Sequence, residues 1–186
     1  MDLETAITTY ERRGYRLDMV MPADNPRVAV VSKGAEMLHL TVSAAGVQAE
    51  PFTSLGHPVI PPSTQEFVVT RASDGAWANG RAGMQYRDLI PGRLGGRYIA
   101  SHIRITDGGP VDDYVHHHRV RFQMIFVRNG WVRVVYEDTG QPFVMNENDC
   151  VLQPPGIRHR VLEASKGLEV IEVSSPAEHE TFRDHA

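Results

Sequence analysis

Between residues 66 and 173 the chain breaks into short runs rich in β-branched and aromatic residues, and this rhythm constrains the fold more than any other feature. The runs cover residues 66–71, 83–89, 97–106, 122–127, 131–137, 142–145, 150–153, 158–163 and 168–173. Pairs such as Asp74-Gly75, Asn79-Gly80, Pro91-Gly92 and Asn129-Gly130 separate them. Glycine and asparagine tolerate the left-handed backbone that hairpin turns demand. Short strands recurring roughly every eight to twelve residues predict an antiparallel sandwich or barrel.

The first third of the chain follows another pattern. Leu3, Ile7 and Tyr10 fall at helical spacing within residues 2–13, with an acidic start, Arg12-Arg13 at the end and then Gly14. Those charges complement a helix dipole, and glycine suits the position just past a helix end. Residues 15–21, 27–32 and 36–42 then read as three strands. Residues 1–48 are therefore expected to form a small α+β segment. Pro51, Pro58, Pro61 and Pro62 lie within residues 49–65, which reads as a linker or covering loop. A barrel over 66–180 follows. The polar end, 177–186, reads as a short helix or frayed end, with 181–186 as a tail.

Bulk properties narrow the function. A formal net charge of −4 supplies no basic field, so nucleic acid is not an expected partner. No run approaches the ~20 apolar residues of a membrane span, so no membrane association is expected. The single cysteine, Cys150, rules out an intrachain disulfide, and cytoplasmic residence is expected. Flanked by Val151 and Leu152, Cys150 reads as a packed strand residue.

Two short stretches carry the chemistry. In His116-His117-His118, strand alternation sends the first and third side chains to one face and His117 to the other. In Pro154-Pro155-Gly156-Ile157-Arg158-His159, a tight turn returns the chain so that His159, with Val161 two residues on, faces the same interior. Neutral imidazole is the commonest ligand for transition metals, and three such groups leave positions open for water or substrate. By the same parity Tyr114 accompanies the two histidines, while Ile125 and Val127 accompany Gln123. Tyr114, Ile125, Val127 and Val161 are thus the expected substrate-pocket residues. The step from His118 to Gln123 breaks the period of two, which calls for a bulge.

Softer readings complete the inventory. His102 and Arg104 share a polar face expected to be solvated. Arg158 and Arg160 read as surface or dimer-contact residues, and Trp77 and Trp131 as packing residues. The Arg87-Asp88 pair could order a loop over the barrel mouth.

The paired motifs resemble those of the cupin superfamily, jelly-roll barrels of antiparallel strands. Its first motif runs His-x-His, three or four residues, Glu, six residues, Gly; here His116-x-His118 is followed by four residues, Gln123, six residues and Gly130. Its second runs Gly, five residues, Pro-x-Gly, two residues, His, three residues, Asn. Here Asn148, Pro154-x-Gly156, His159 and Glu163 stand at those positions. Asn148 in place of glycine keeps access to left-handed backbone. Gln123 replaces a carboxylate ligand by a neutral amide, which either coordinates the ion or supports it from behind. The first forty or so residues are similar to half a module of the vicinal-oxygen-chelate superfamily, through the helix, Tyr10-Glu11-Arg12-Arg13-Gly14-Tyr15 and an Arg-containing turn. Only one such module is present, so no ligand is transferred from it. His39 reads as a strand residue.

The cupin resemblance implies one divalent transition metal held by His116, His118 and His159, with Gln123 as a fourth candidate. Three-histidine cupins suggest Fe(II) and dioxygenase-type chemistry on a small diketone, enol, carboxylate or phenolic molecule. Zn, Mn, Ni or Cu acting without redox change, for isomerase, lyase or hydrolase chemistry, is the alternative. A non-catalytic ligand-binding module is another. With no inward-facing acid assured, the redox route has the edge. A homodimer is expected because barrels of this kind pair exposed sheet edges.

Overall fold

The computed structural model describes residues 2–54, 56, 58–136 and 140–185. Glu137, the expected end of one strand, and Ala186 lie outside the described residues.

One helix opens the chain. α1 (Leu3–Arg12) starts where Asp2 accepts a hydrogen bond from Thr5 N at 2.8 Å, and it ends before Gly14, whose φ is +88°. Its apolar side covers β1 (Arg16–Met21), β2 (Val28–Lys33) and β3 (Glu36–Ser43). Leu3, Leu17, Val31 and Leu40 make the small core between them. β4 (Gly46–Pro51) extends this meander, so regular structure reaches into the proline-rich stretch before it stops.

The remaining strands are short. They are β5 (Ala78–Asn79), β6 (Gln85–Asp88), β7 (Ile99–Ile105), β8 (Gly109–Pro110), β9 (His116–His118) and β10 (Phe122–Asn129). Then come β11 (Trp131–Tyr136), β12 (Phe143–Asn146), β13 (Cys150–Leu152), β14 (His159–Ala164), β15 (Leu168–Ser175) and β16 (Thr181–Arg183). One sheet has the order β12-β11-β14-β9-β16-β1-β2-β3-β4, with β8 also pairing β14. The other runs β13-β10-β15-β7-β6-β5. Every pairing is antiparallel. Val127, Val132, Tyr136, Met145, Leu168 and Val170 fill the larger core. The fold is mainly β, as the turn rhythm requires.

Several expectations are corrected. Residues 66–71 form no strand. Phe67 is 96% exposed, and a β-prone run without a neighbour to pair with stays irregular. The expected tail contains β16, seated between β9 and β1, and it carries the larger sheet from barrel strands into the N-terminal meander. No bulge re-aims a strand between His118 and Gln123; the chain instead crosses from one sheet to the other. Cys150 lies on a strand but is exposed, because β13 is a sheet edge. His102 is buried, not solvated, beneath the edge of Trp77, and it bridges Arg87 and Glu169. Arg87 also donates to the carbonyl of Ala72 at 2.7 Å, while Asp88 accepts from Ile90 N and Arg93. Among the described residues no helix is long and apolar enough to cross a membrane.

Candidate metal centre

β9 and β14 are neighbours with His116 directly opposite His159, and His118 is two residues along on the same face. The three rings gather with centroids 5.0, 4.3 and 5.2 Å apart. Their candidate ligand nitrogens all lie within 4.8 Å of one another. His116 is fully buried, and His118 and His159 nearly so.

Backbone carbonyls set two of the three tautomers. His116 Nδ1 lies 2.8 Å from the carbonyl of Tyr114, and His159 Nδ1 lies 2.9 Å from the carbonyl of Ile157. A carbonyl can only accept, so both Nδ1 atoms carry hydrogen and both Nε2 atoms keep a lone pair. Arg81 confirms this at His116: its Nη2 donates to Nε2 at 2.7 Å, and a guanidinium has no other option. His118 Nδ1 meets the Thr181 hydroxyl at 2.9 Å. Such partners behind a metal-binding imidazole orient the ring and raise its basicity. Rings of Tyr136 on His159, Tyr114 on His116 and His179 on His118 wedge the imidazoles in place.

Burial pushes all three histidines toward the neutral form. His159 falls to about 4. His116 drops well below the ordinary value through burial and then the Arg81 charge, and His118 does so through burial and then His116. All three are therefore uncharged at neutral pH, the state in which imidazole can bind a metal.

The donor set fits a divalent transition metal. If every pair of nitrogens stood at 4.8 Å, a central ion would lie about 2.8 Å from each, against ~2.0–2.1 Å for Zn–N, so contraction by less than about 0.8 Å suffices. Arg81 must release Nε2 of His116 for that contraction to complete a site.

Two of the three histidines, His118 and His159, line a cavity of about 90 Å³, and the fully buried His116 lies beside it. Ile125 and Val161 line it, as expected, together with apolar side chains such as Met84, Ile103, Val134 and Val170. Val127 shares their parity but is fully buried in the core and does not reach the cavity. Tyr114 does not line it either. Residues 111–115 form no strand, so parity fails there, and Tyr114 faces a separate polar cleft with Arg160 and Arg183. Arg158 is exposed, while Trp77 and Trp131 are half-buried. His117 turns away, as expected, and pairs with Asp184.

Gln123 is buried at the cavity wall, where its Nε2 donates to Glu172 Oε1 at 2.8 Å. Glu172 is the main residue missed by sequence reasoning, and its signal was available. Leu168, Val170, Glu172 and Ser174 alternate on β15, so the carboxylate shares the inward face of two core residues. Ser174 Oγ also donates to Oε1, at 3.3 Å. Arg81 was missed as well. It is held by the buried Asp113, which also accepts from the backbone N–H groups of Tyr114 and Val161. Arg81 sits in a tight turn that needs Gly80, where an added Cβ would lie 2.2 Å from the Tyr86 ring.

No protein-family model and no curated protein matches the sequence. Solved structures do match. An RmlC-like cupin from Shewanella frigidimarina superposes with TM-score 0.50 at 23% identity, over 61% of this chain and 95% of that one. The polyketide cyclase RemF from Streptomyces resistomycificus gives 0.54 at 16% identity, over 65% and 87%. An iron(II) form of HppE gives 0.50 at 14% identity, over 61% and 65%. These likenesses show the fold, in which the two sequence motifs meet at the triad.

Proposed function

We propose that this chain, whose barrel has the cupin fold, is a metal-dependent enzyme acting on a small oxygenated molecule such as a diketone, enol, carboxylate or phenol. One observation carries the reading. Three neutral imidazoles, two with Nε2 lone pairs set by carbonyls, converge, and two of them, His118 and His159, line a largely apolar cavity that also holds a carboxylate. His116, His118 and His159 would hold one divalent ion, which when bound supplies a Lewis acid for substrate oxygen or a redox centre.

The protein's own residues supply the rest. Glu172 is the proton acceptor: Gln123 and Ser174 both donate to Oε1, which leaves Oε2 to take a proton from substrate. Gln123 positions that carboxylate, a role its amide can fill and a glutamate could not. Ile125, Val161 and their neighbours exclude water, which strengthens every polar contact inside.

Glu172 removes the reason for preferring redox chemistry, which was the lack of an assured inward acid. Proton transfer of the isomerase, lyase or hydrolase kind, with Zn, Mn or Ni, is the reading the geometry supports best. Dioxygenase-type chemistry with Fe(II), or with Cu, is second, favoured by the apolar walls. A small molecule is the proposed partner. A homodimer is the proposed assembly, because edge strand β13 leaves Leu152 64% exposed.

The test is metal analysis of protein expressed near native levels and purified without chelator, followed by turnover and oxygen-uptake screens on diketones, hydroxy acids and phenolic acids. One ion per chain with oxygen-independent turnover supports the first reading, and oxygen uptake supports the second. Ligand-induced stabilisation without turnover makes the protein a binding module.

A further inference from the structure

Two buried N–H donors belong to residues lining the cavity and meet no acceptor among the described residues: Arg81 Nε and Gln153 Nε2. Buried donors in folded proteins are almost always paired, so two on one cavity call for oxygens from a ligand. Gln153 is 2% exposed, and its backbone N–H is tied to the carbonyl of Gln123 at 2.9 Å. Arg81 is equally constrained at its backbone, where Gly80 N bonds Met84 O at 2.8 Å and Met84 N returns to Arg81 O at 3.0 Å. Its side chain borders the cavity.

The charge balance points the same way. The three histidines are neutral, Arg81 and Asp113 cancel, and Glu172 is offset by Arg104 on the same wall, which leaves the two positive charges of a divalent ion. The remainder is positive, which favours an anion.

We infer that Arg81 and Gln153 form a carboxylate subsite, and that the substrate is a small acid whose second oxygen, a ketone or hydroxyl, reaches the triad. The inference rests on the metal-dependent reading above and adds the substrate class and the residues that select it. Arg81 has two alternative uses. Its Nη2 takes the His116 Nε2 lone pair, the same pair a metal ion needs, so the two exclude each other. Tethered by Asp113 through Nη1, the guanidinium gives up His116 when an ion enters and turns that donor to the carboxylate. Loading the metal and arming the subsite are one event.

Calorimetric titration of zinc-loaded protein with pyruvate and with butane-2,3-dione, its neutral counterpart, tests this. Wild type should prefer pyruvate by about 10–100-fold, the range for charge-assisted hydrogen bonds. R81Q should erase that preference while leaving dione affinity within about threefold, and it should bind zinc more tightly because His116 is no longer engaged. R81K should keep part of the preference, and Q153L should lose roughly 3–10-fold in pyruvate affinity. If R81Q loses its thermal transition, Q153L carries the test. Equal affinity for the two probes in wild type, no pyruvate binding below about 10 mM, or an unaltered preference in R81Q or, if R81Q does not fold, unaltered pyruvate affinity in Q153L, overturns the inference. Zinc content separates the two claims. One ion per chain without pyruvate preference sinks the subsite and spares the metal reading. No zinc, with the preference kept in metal-free protein, sinks the metal reading and the coupling of Arg81 to it, and spares only the carboxylate-binding role of Arg81 and Gln153.

Discussion

Replacing Thr181 by valine should weaken metal binding by roughly 5–150-fold without emptying the core. Thr181 Oγ1 is the only partner of His118 Nδ1 among the described residues, at 2.9 Å, and both side chains are buried. Valine keeps the shape of threonine but cannot accept the proton, so the Nδ1–H is stranded. A buried donor left unpaired costs about 1–3 kcal/mol, and each 1.4 kcal/mol is tenfold in affinity. Loss of an orienting partner behind a metal-binding histidine typically costs 10–100-fold, which agrees. Competition with a chromophoric zinc chelator reads the change directly, with His118→Ala as the limit of a lost ligand. In metal-free T181V the imidazole can shift its hydrogen to Nε2, so the penalty falls on the metal-bound form and urea stability without metal should change by less than that penalty. If T181V and wild type bind zinc within twofold of each other while H118A does not bind, Thr181 does not position His118. If H118A also binds normally, His118 is not a ligand.

Three further outcomes are expected. Between pH 6.5 and 4 the unfolded chain takes up a proton at His159 while the folded one does not, so stability of the metal-free protein should fall as acid is added. This one residue contributes about 3 kcal/mol, and His116 and His118 act in the same direction. Urea melts at pH 7, 5.5 and 4.5 check this, and a flat profile would contradict buried neutral imidazoles; by the same shifts, bound metal should survive at pH 5.5. E172Q should keep its metal but lose about 10²–10⁴ in kcat if Glu172 moves a proton, and near-normal kcat would favour the oxygen-dependent reading. Gly80→Ala should destabilise by about 1–3 kcal/mol, read by thermal or urea unfolding, because its Cβ would collide with Tyr86, and in folded protein it should displace Arg81.

The triad was legible because its information is local. Strand alternation joins His116 to His118, and the Pro154-x-Gly156 turn aims His159. Asn148 takes the left-handed φ of +73° that replacing a glycine demanded. Glu172 was also within reach, since it repeats the parity of Leu168 and Val170. Arg81 and Thr181 were not. Arg81 reaches His116, 35 residues along the chain, through a turn whose shape depends on the Tyr86 ring and on the pairing of β6 with β7. Thr181 faces His118 because β16 slots between β9 and β1, a pairing that a polar three-residue strand does not announce. Residues 66–71 fail in the opposite sense. Their β propensity is high, but propensity without a neighbouring edge makes no strand. Exposure of Cys150 likewise depends on β13 having a partner on one side only.

X-ray absorption at the metal edge of loaded protein asks most directly whether the three imidazoles hold one ion. The expected spectrum has about three imidazole nitrogens near 2.0–2.1 Å per ion, falling by one in H159A. An ion coordinated by oxygen alone, or a spectrum unchanged by H159A, would contradict the account.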